Sequence, residues 1–401
     1  MADLELIHGL LTPADSKILL LVLDGLGGLP IEPGGLTELE AASTPNMDRL
    51  AAEGIVGLHQ PVGPGITPGS GPGHIGLFGY NAIRYQIGRG VLEALGIGFD
   101  LQADDLAARG NFCTIDSDGN ITDRRAGRIS TERCRELCGE LQQIRVPGVQ
   151  IFVEPVREHR FLLVLRGDGL VGGIADTDPG HVGSPPLPVR AERIEAEAMA
   201  KVVRRFVDEA QRRLAGREPA NMVLLRGFAR LPDWPRFPET FGLRSIAVAQ
   251  YPMYRGVAKL VGMDTEEVGP SRDDLFAALQ RVWPGYDFAF VHVKETDKAG
   301  EDGDFDQKVS VIEEIDGYIP AILDLQPDVI LVTGDHSTPA VLRSHSWHPV
   351  PFLLWSRTCR SDEMKHFGER WCLRGGGGMR RSEDLMPLAL ANARRLGKFG
   401  A

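Results

Sequence analysis

Long apolar runs, paired cysteines and an excess of basic charge are all missing from this chain, and each absence removes a class of protein. The most apolar stretch, Ile18–Leu23, has the length of a strand and falls far short of a bilayer span, so no membrane association is expected. The first ten residues, MADLELIHGL, lack the basic region and apolar run of a secretory leader. Five cysteines (Cys113, Cys134, Cys138, Cys359 and Cys372) form no CxxC pair, and their number is odd. A disulfide framework is therefore not expected, and a reduced, cytoplasmic setting is. Cys134 and Cys138 stand one helical turn apart with no other Cys or His pair nearby to complete a zinc site, so they read as ordinary helix residues. The formal net charge of −11 argues against a general nucleic-acid binder. It also means that an anionic substrate has to be drawn by a local basic cluster. No Gly-Lys-Ser/Thr follows the glycine-rich loop around Ser70, the turn DGLGGLP after the first strand does not make GxGxxG, and no GxSxG elbow is present.

What remains is a glycine-rich chain of 401 residues, long enough to imply two domains. Lys17–Leu23 reads as a buried parallel strand ending in Asp24-Gly25. Thr44-Pro45 opens a helix that Gly54 closes. Later, Arg244–Ala249, Phe288–Val293, Val329–Val332 and Pro351–Trp355 read as strands. Helices are expected over Leu275–Trp283, behind the cap Ser271–Asp274, and over Phe305–Leu325, where Pro320 would introduce a kink. Strands alternating with helices imply a parallel α/β sheet. The middle reads differently. A hairpin is expected over Val149–Val156 and His159–Leu165, an amphipathic helix over Arg190–Leu214 ended by Gly216, and a strand over Asn221–Leu225. This block has the style of an α+β domain inserted near residues 86 and 231. The Gly375–Gly378 run reads as a flexible loop before a helix over Ser382–Leu396.

Ligands of open α/β sheets gather at the carboxyl ends of the strands. Four such ends carry Asp24, then Asp297 and Glu301, then Asp335 and His336, with His345 in the following loop. Carboxylates mixed with imidazole suit manganese, zinc or magnesium. Adjacent residues at a strand end tend to face opposite sides, so Asp335 and His336 could serve two metals. Singly, each residue is more often a turn former or a satisfied polar group; the set at one sheet edge points to a metal site. A second feature is the loop GITPGSGPGH, residues 65–74, which places Ser70 where a helix opens and backbone N–H groups can hold phosphate oxygens. Taken alone it could equally be a mobile surface loop. A Ser hydroxyl becomes a competent nucleophile when a divalent ion lowers its pKa. A third feature is basic: Arg84, Arg89, Arg124, Arg125 and Arg128 cluster in sequence, and Arg226 ends the strand NMVLL. Guanidinium forks match carboxylate and phosphate oxygens, although such runs are usually solvated.

The segments KILLLVLDGLGGLP, TPGSGPGHIGLFGY, NFCTIDSDGNITDRRAGRI, DTDPGHVG, TDKAGEDGDFDQKV and VTGDHSTPAVLRSHSWHPVPFLLW resemble the archaeal-type cofactor-independent phosphoglycerate mutases of the alkaline-phosphatase superfamily. The resemblance runs over nearly the whole chain. It implies an alkaline-phosphatase-like α/β core, its mostly parallel sheet flanked by helices, over residues 1–85 and 232–401. An inserted α+β substrate-binding lid would occupy residues 86–231. It implies interconversion of 3-phosphoglycerate and 2-phosphoglycerate through a phosphoserine, with two divalent ions and no bisphosphoglycerate. Manganese is the expected metal, with magnesium, zinc or cobalt as alternatives. Matched motif by motif, Ser70 accepts the phosphoryl group. Asp24, Ser70, Asp335 and His336 hold one metal, and Asp297, Glu301 and His345 the other. Arg124, Arg125, Arg128, Asp176, Asp178 and Arg226 contact the substrate, a small phosphorylated three-carbon acid. The family often has His where this chain has Glu301, and a carboxylate still suits manganese. A homo-oligomer is left open.

The same metals and Ser70 would equally serve a phosphomonoesterase or another phosphomutase, since a scaffold does not select its substrate. An Arg-rich insert that holds a small anion and excludes water favours the mutase. A binding protein without catalysis is the third reading, and intact Ser70, Asp335 and His336 speak against it.

Overall fold

The apolar run before Asp24 forms a central strand buried along its whole length, with parallel neighbours on both sides. The computed structural model describes residues 3–400. Among them, thirteen strands follow in chain order. They are β1 (Ile18–Leu23), β2 (Ile55–Gln60), β3 (Leu106–Ile115), β4 (Ile121–Asp123), β5 (Gln150–Arg157), β6 (Arg160–Arg166) and β7 (Met222–Arg230). Then come β8 (Ser245–Ala249), β9 (Asp264–Glu266), β10 (Phe288–Val293), β11 (Val329–Thr333), β12 (Val350–Ser356) and β13 (Gly378–Arg381). The chain falls into two compact units. One takes in the residues up to Gln86 and again from Trp234 onward; the other is Ile87–Asp233.

The first unit is a mixed α/β unit around an eight-stranded, mostly parallel sheet of order β13-β2-β12-β11-β1-β10-β8-β9, flanked by helices. β1, β10 and β11 are buried at every position, as strands covered on both faces must be, so their residues are apolar without alternation except for His292 and Thr333 near the carboxyl ends. Each such side chain contributes about 1.5–3 kcal/mol by leaving water. β12 runs antiparallel to both β11 and β2. The reason is local: residues 334–349 contain no helix, and a parallel return needs a long crossover, usually helical.

Several expectations change in detail. Pro320 does not kink one long helix. Two helices, Phe305–Asp316 and Ile319–Asp324, stand there, and Pro320 sits in the first turn of the second, where its missing N–H leaves nothing unpaired. Ser271 forms the expected capping box with Asp274, whereas Thr44 makes no side-chain cap. The glycines from Gly375 are not a loose loop. A Cβ on Gly375 would lie 2.1 Å from the Val56 carbonyl, and the run leads into β13, which pairs with β2. The last helix is shorter than expected, Leu385–Asn392.

The second unit holds a five-stranded antiparallel sheet in which β3 pairs with β4, β6 and β7, and β5 pairs with β6. Helices Thr131–Leu141 and Glu197–Leu214 bury their apolar stripes in its core, Cys134 and Cys138 included. The second helix begins later than its amphipathic pattern, because Ala191 instead bridges Ile174. Among the described residues of both units, no helix is long and apolar enough to cross a membrane.

Back in the first unit, Glu369 is only partly exposed, and its carboxylate turns inward to accept from the Gly28 amide (2.9 Å) and the Thr37 hydroxyl (2.6 Å). Burial raises its pKa to about 7, against the pull of those two bonds. The folded state therefore binds this proton more tightly than the unfolded chain, and the stability it contributes is lost as pH rises through that value. Glu369→Gln should be as stable as wild type near about pH 5 and more stable near about pH 8 in urea unfolding. A difference that ignores pH would refute the assignment.

Candidate metal centre and nucleophile

Register decides what meets at the sheet edge. Leu23 pairs with Val293 and Val22 with Thr333, so the loops after β1, β10 and β11 leave together. Asp24 follows the first directly. Asp297 lies in the first turn of the helix Glu295–Asp302, and Asp335-His336 follow the third. Both residues of that last pair lie beyond Thr333, where pleat alternation has ended. They therefore face the same cluster: His336 Nε2 is 3.2 Å from Asp24 Oδ1 and 3.2 Å from Asp335 Oδ2. The Ser70 hydroxyl is 3.3 Å from the same nitrogen.

The hydrogen bonding around His336 leaves lone pairs without protons. Thr338 Oγ1 donates to Asp297 Oδ1 (2.6 Å), so it can only accept from His336 Nδ1 (2.9 Å). A neutral His336 then turns the lone pair of Nε2 toward Asp24 Oδ1 and Asp335 Oδ2, two buried oxygens with no hydrogen-bond partner. Three acceptors facing one another require a shared cation. Without a metal, a proton takes that part. Burial pulls the imidazole down, but Asp335 and Asp24 outweigh it and raise His336 to about 9. Burial would push Asp24 up, yet bonds from His292 and His336 and the charge of Lys294 hold it well below the usual carboxylate range.

A second group shares His336. Asp297, His336 and His345 each bring a donor atom within 4.8 Å of the others, as do Asp24, Asp335 and His336. His345 Nδ1 meets the Pro68 carbonyl at 2.9 Å, which leaves Nε2 facing Asp297 Oδ1 at 3.5 Å. Glu301 stands at the margin, 3.8 Å from His345 Nε2, with its side chain about half exposed. The donor set of carboxylates and imidazoles fits divalent ions.

Ser70 is the first residue of the helix Ser70–Leu77, so the glycines after it lie inside the helix. Gly73 explains why: a Cβ there would sit 2.4 Å from the Asp335 carbonyl oxygen. The helix thus lies directly on the backbone of a candidate ligand. His74 Nδ1 reaches the Ser70 carbonyl (2.8 Å) and Asp335 Oδ2 (3.2 Å), tying nucleophile to carboxylate.

Sequence reasoning missed the surrounding layer. His74 lies within the loop GITPGSGPGH and Lys294 directly after the strand Phe288–Val293, and no pattern gives either a role. Lys294 Nζ bridges Asp24 Oδ2 (3.1 Å) and Asp297 Oδ2 (2.5 Å). His292 meets Asp24 Oδ2 at 3.2 Å, and the Tyr254 hydroxyl donates to that oxygen too. Tyr254 belongs to the helix Pro252–Leu260, which carries no motif.

In the second unit, Arg124 forks onto Asp178 (2.9 and 2.7 Å). Arg226 lies 3.4 Å from Asp178 and 3.5 Å from Asp176. Arg125 and Arg128 are exposed and, among the described residues, form no ion pair.

The chain has clear relatives. The sequence profile of the 2,3-bisphosphoglycerate-independent phosphoglycerate mutases matches residues 51–221. A protein of Aquifex aeolicus named "Probable 2,3-bisphosphoglycerate-independent phosphoglycerate mutase" is 48% identical over 99% of this chain and 100% of its own length. A Thermus thermophilus protein of the same name is 49% identical over 96% of both. The solved structure of a cofactor-independent phosphoglycerate mutase from Thermoplasma acidophilum superposes with a TM-score of 0.76 at 31% identity, covering 94% of this chain and 100% of that one. A Pyrococcus horikoshii protein superposes with a TM-score of 0.80 at 32% identity, covering 96% and 99%.

Gly73→Ala forces a methyl into the Asp335 carbonyl and should cost about 1–3 kcal/mol in urea unfolding. A change below about 0.5 kcal/mol would mean that the helix yields at little cost.

Proposed function

The chain belongs to the 2,3-bisphosphoglycerate-independent phosphoglycerate mutase family, and on that premise we propose that it interconverts 3-phosphoglycerate and 2-phosphoglycerate through a phosphoserine at Ser70. The observation that carries this reading is the convergence of Asp24 Oδ1, Asp335 Oδ2 and His336 Nε2 on one point, with the Ser70 hydroxyl 3.3 Å from that nitrogen. Asp24, Asp335 and His336 would hold one divalent ion, and Asp297 and His345 the other, with Glu301 at its open side. Manganese suits the donors, with magnesium, zinc or cobalt as alternatives. Such ions, when bound, supply a lowered pKa for the hydroxyl and positive charge beside the phosphoryl oxygens.

The chain's own groups account for the rest. Ser70 Oγ forms the new bond to phosphorus as the bond from phosphorus to the substrate oxygen breaks, and that oxygen takes up a proton. The reverse transfer, to the other hydroxyl of the same glycerate, completes the isomerisation. The first turn of the helix Ser70–Leu77 has amides free of intrahelical partners, which suits phosphate oxygens. His74 fixes the Ser70 backbone against Asp335. Lys294 neutralises Asp24 and Asp297 where they would otherwise repel each other. The glycerate must stay bound between the two transfers, so a carboxylate-binding group is required. Arg124 and Arg226, aligned by Asp178 and Asp176, suit that role, with Arg125 and Arg128 as free forks.

The test is conversion of 3-phosphoglycerate to 2-phosphoglycerate with added manganese and no bisphosphoglycerate. Ser70→Ala should lower kcat by about 10³-fold or more. Conversion that survives the substitution would rule out the phosphoserine. Release of inorganic phosphate faster than isomerisation would move the reading to a phosphomonoesterase.

A further inference from the structure

We infer that Lys308 and Glu38 are positioning residues that clamp the two loops carrying the candidate metal ligands, and that divalent-ion affinity depends on them. The inference rests on the metal reading above. Lys308 lies on the helix Phe305–Asp316, and its side chain is fully buried. Its ammonium donates to the carbonyls of Gly27 (3.1 Å) and Thr338 (2.9 Å) and lies 3.8 Å from Glu38 Oε1. Gly27 is three residues past Asp24, and Thr338 is two residues past His336. Glu38, equally buried, accepts the amides of Leu29 (3.1 Å) and Ala340 (2.7 Å). The cation thus takes one carbonyl from each loop, and the anion takes one amide from each.

The glycines nearby make room for this arrangement. A Cβ on Gly28 would fall 1.9 Å from Glu38 Oε2, and one on Gly300 would fall 2.2 Å from the Thr338 carbonyl oxygen. The link from Lys308 to the site is short. It holds the Thr338 backbone, and the Thr338 hydroxyl in turn bonds Asp297 and His336. Groups that orient metal ligands in this way typically change affinity by about 10–100-fold when removed. A staple serving stability alone would need no ion pair, since apolar residues of similar volume replace buried pairs at little or no cost.

Manganese titration of the full chain by calorimetry tests the inference, with the fold of each variant checked by circular dichroism. Lys308→Met should weaken binding by at least about 10-fold, and Glu38→Gln in the same direction. Ile315→Ala, a core truncation on the same helix, should lower the melting temperature without changing affinity. Wild-type affinity in a folded Lys308→Met variant would overturn the inference and leave the metal reading intact. An equal loss of affinity in Ile315→Ala would overturn it as well, since stability alone would then explain the effect. If Lys308→Met fails to fold, Glu38→Gln decides by the same criterion. A wild-type chain that takes up no manganese, magnesium, zinc or cobalt would sink the metal reading, and the inference with it.

Discussion

The parallel register of β1 with β10 and β11 is the constraint on which the rest of the molecule depends. Three buried strands end level with one another, so the residues just beyond them meet, whatever their separation along the chain. Slipping β1 by one residue would reverse the face of every side chain in it and carry Asp24 off the cluster. Because β1 is apolar on both faces, its hydrophobicity alone does not fix that register; the contacts of Asp24 with His292 and Lys294 at the strand's end do.

That edge gathers buried negative charge, and the surrounding layer offsets it. Asp24, Asp297 and Asp335 are almost completely buried. A buried charge deprived of its partner costs about 3–5 kcal/mol, comparable to burying one or two core side chains. Tyr254, His292 and Lys294 meet Asp24; Thr338 meets Asp297; His74 and the Gly25 amide meet Asp335. The oxygens that face His336 are Asp24 Oδ1, which has no hydrogen-bond partner among the described residues, and Asp335 Oδ2, which His74 Nδ1 approaches only to 3.2 Å. The protein thus satisfies the outer side of each carboxylate and leaves the inner side open. The same division of labour continues one layer back, where Lys308 and Glu38 meet backbone groups on both loops.

The insert is built on a different plan. Its antiparallel sheet places β3 between β6 and β7; Arg124, Arg125 and Arg128 lie in the turn after β4, whereas Arg226 does not end its strand as expected but sits within β7, paired with Arg109. Asp178 is buried with two guanidiniums around it, so it orients them in place of facing solvent. Arg125 and Arg128 follow Asp123, which accepts the amides of Arg125 and Gly127 and fixes the turn while leaving their side chains free.

By itself the sequence determined the buried strands, the capped helix at Ser271, the hairpin of β5 and β6, and the residues at the strand ends. These follow from local rules of periodicity, capping and turn chemistry. The motif resemblance supplied the family, and the relatives bear it out. The structure showed that β12 runs antiparallel, which follows from the helix-free path of residues 334–349 between the strands, a feature the motif there does not announce. It decided that Gly73 and Gly375 serve close backbone approach, because the atoms they make room for come from Asp335 and Val56, hundreds of positions away. It also brought Tyr254, Lys308 and Glu38 to the site. Tyr254 and Glu38 lie on helices with no motif of their own, and Lys308, although inside TDKAGEDGDFDQKV, has no spacing that marks it; the contacts that give all three a place at the site are made on loops that only the fold brings to them.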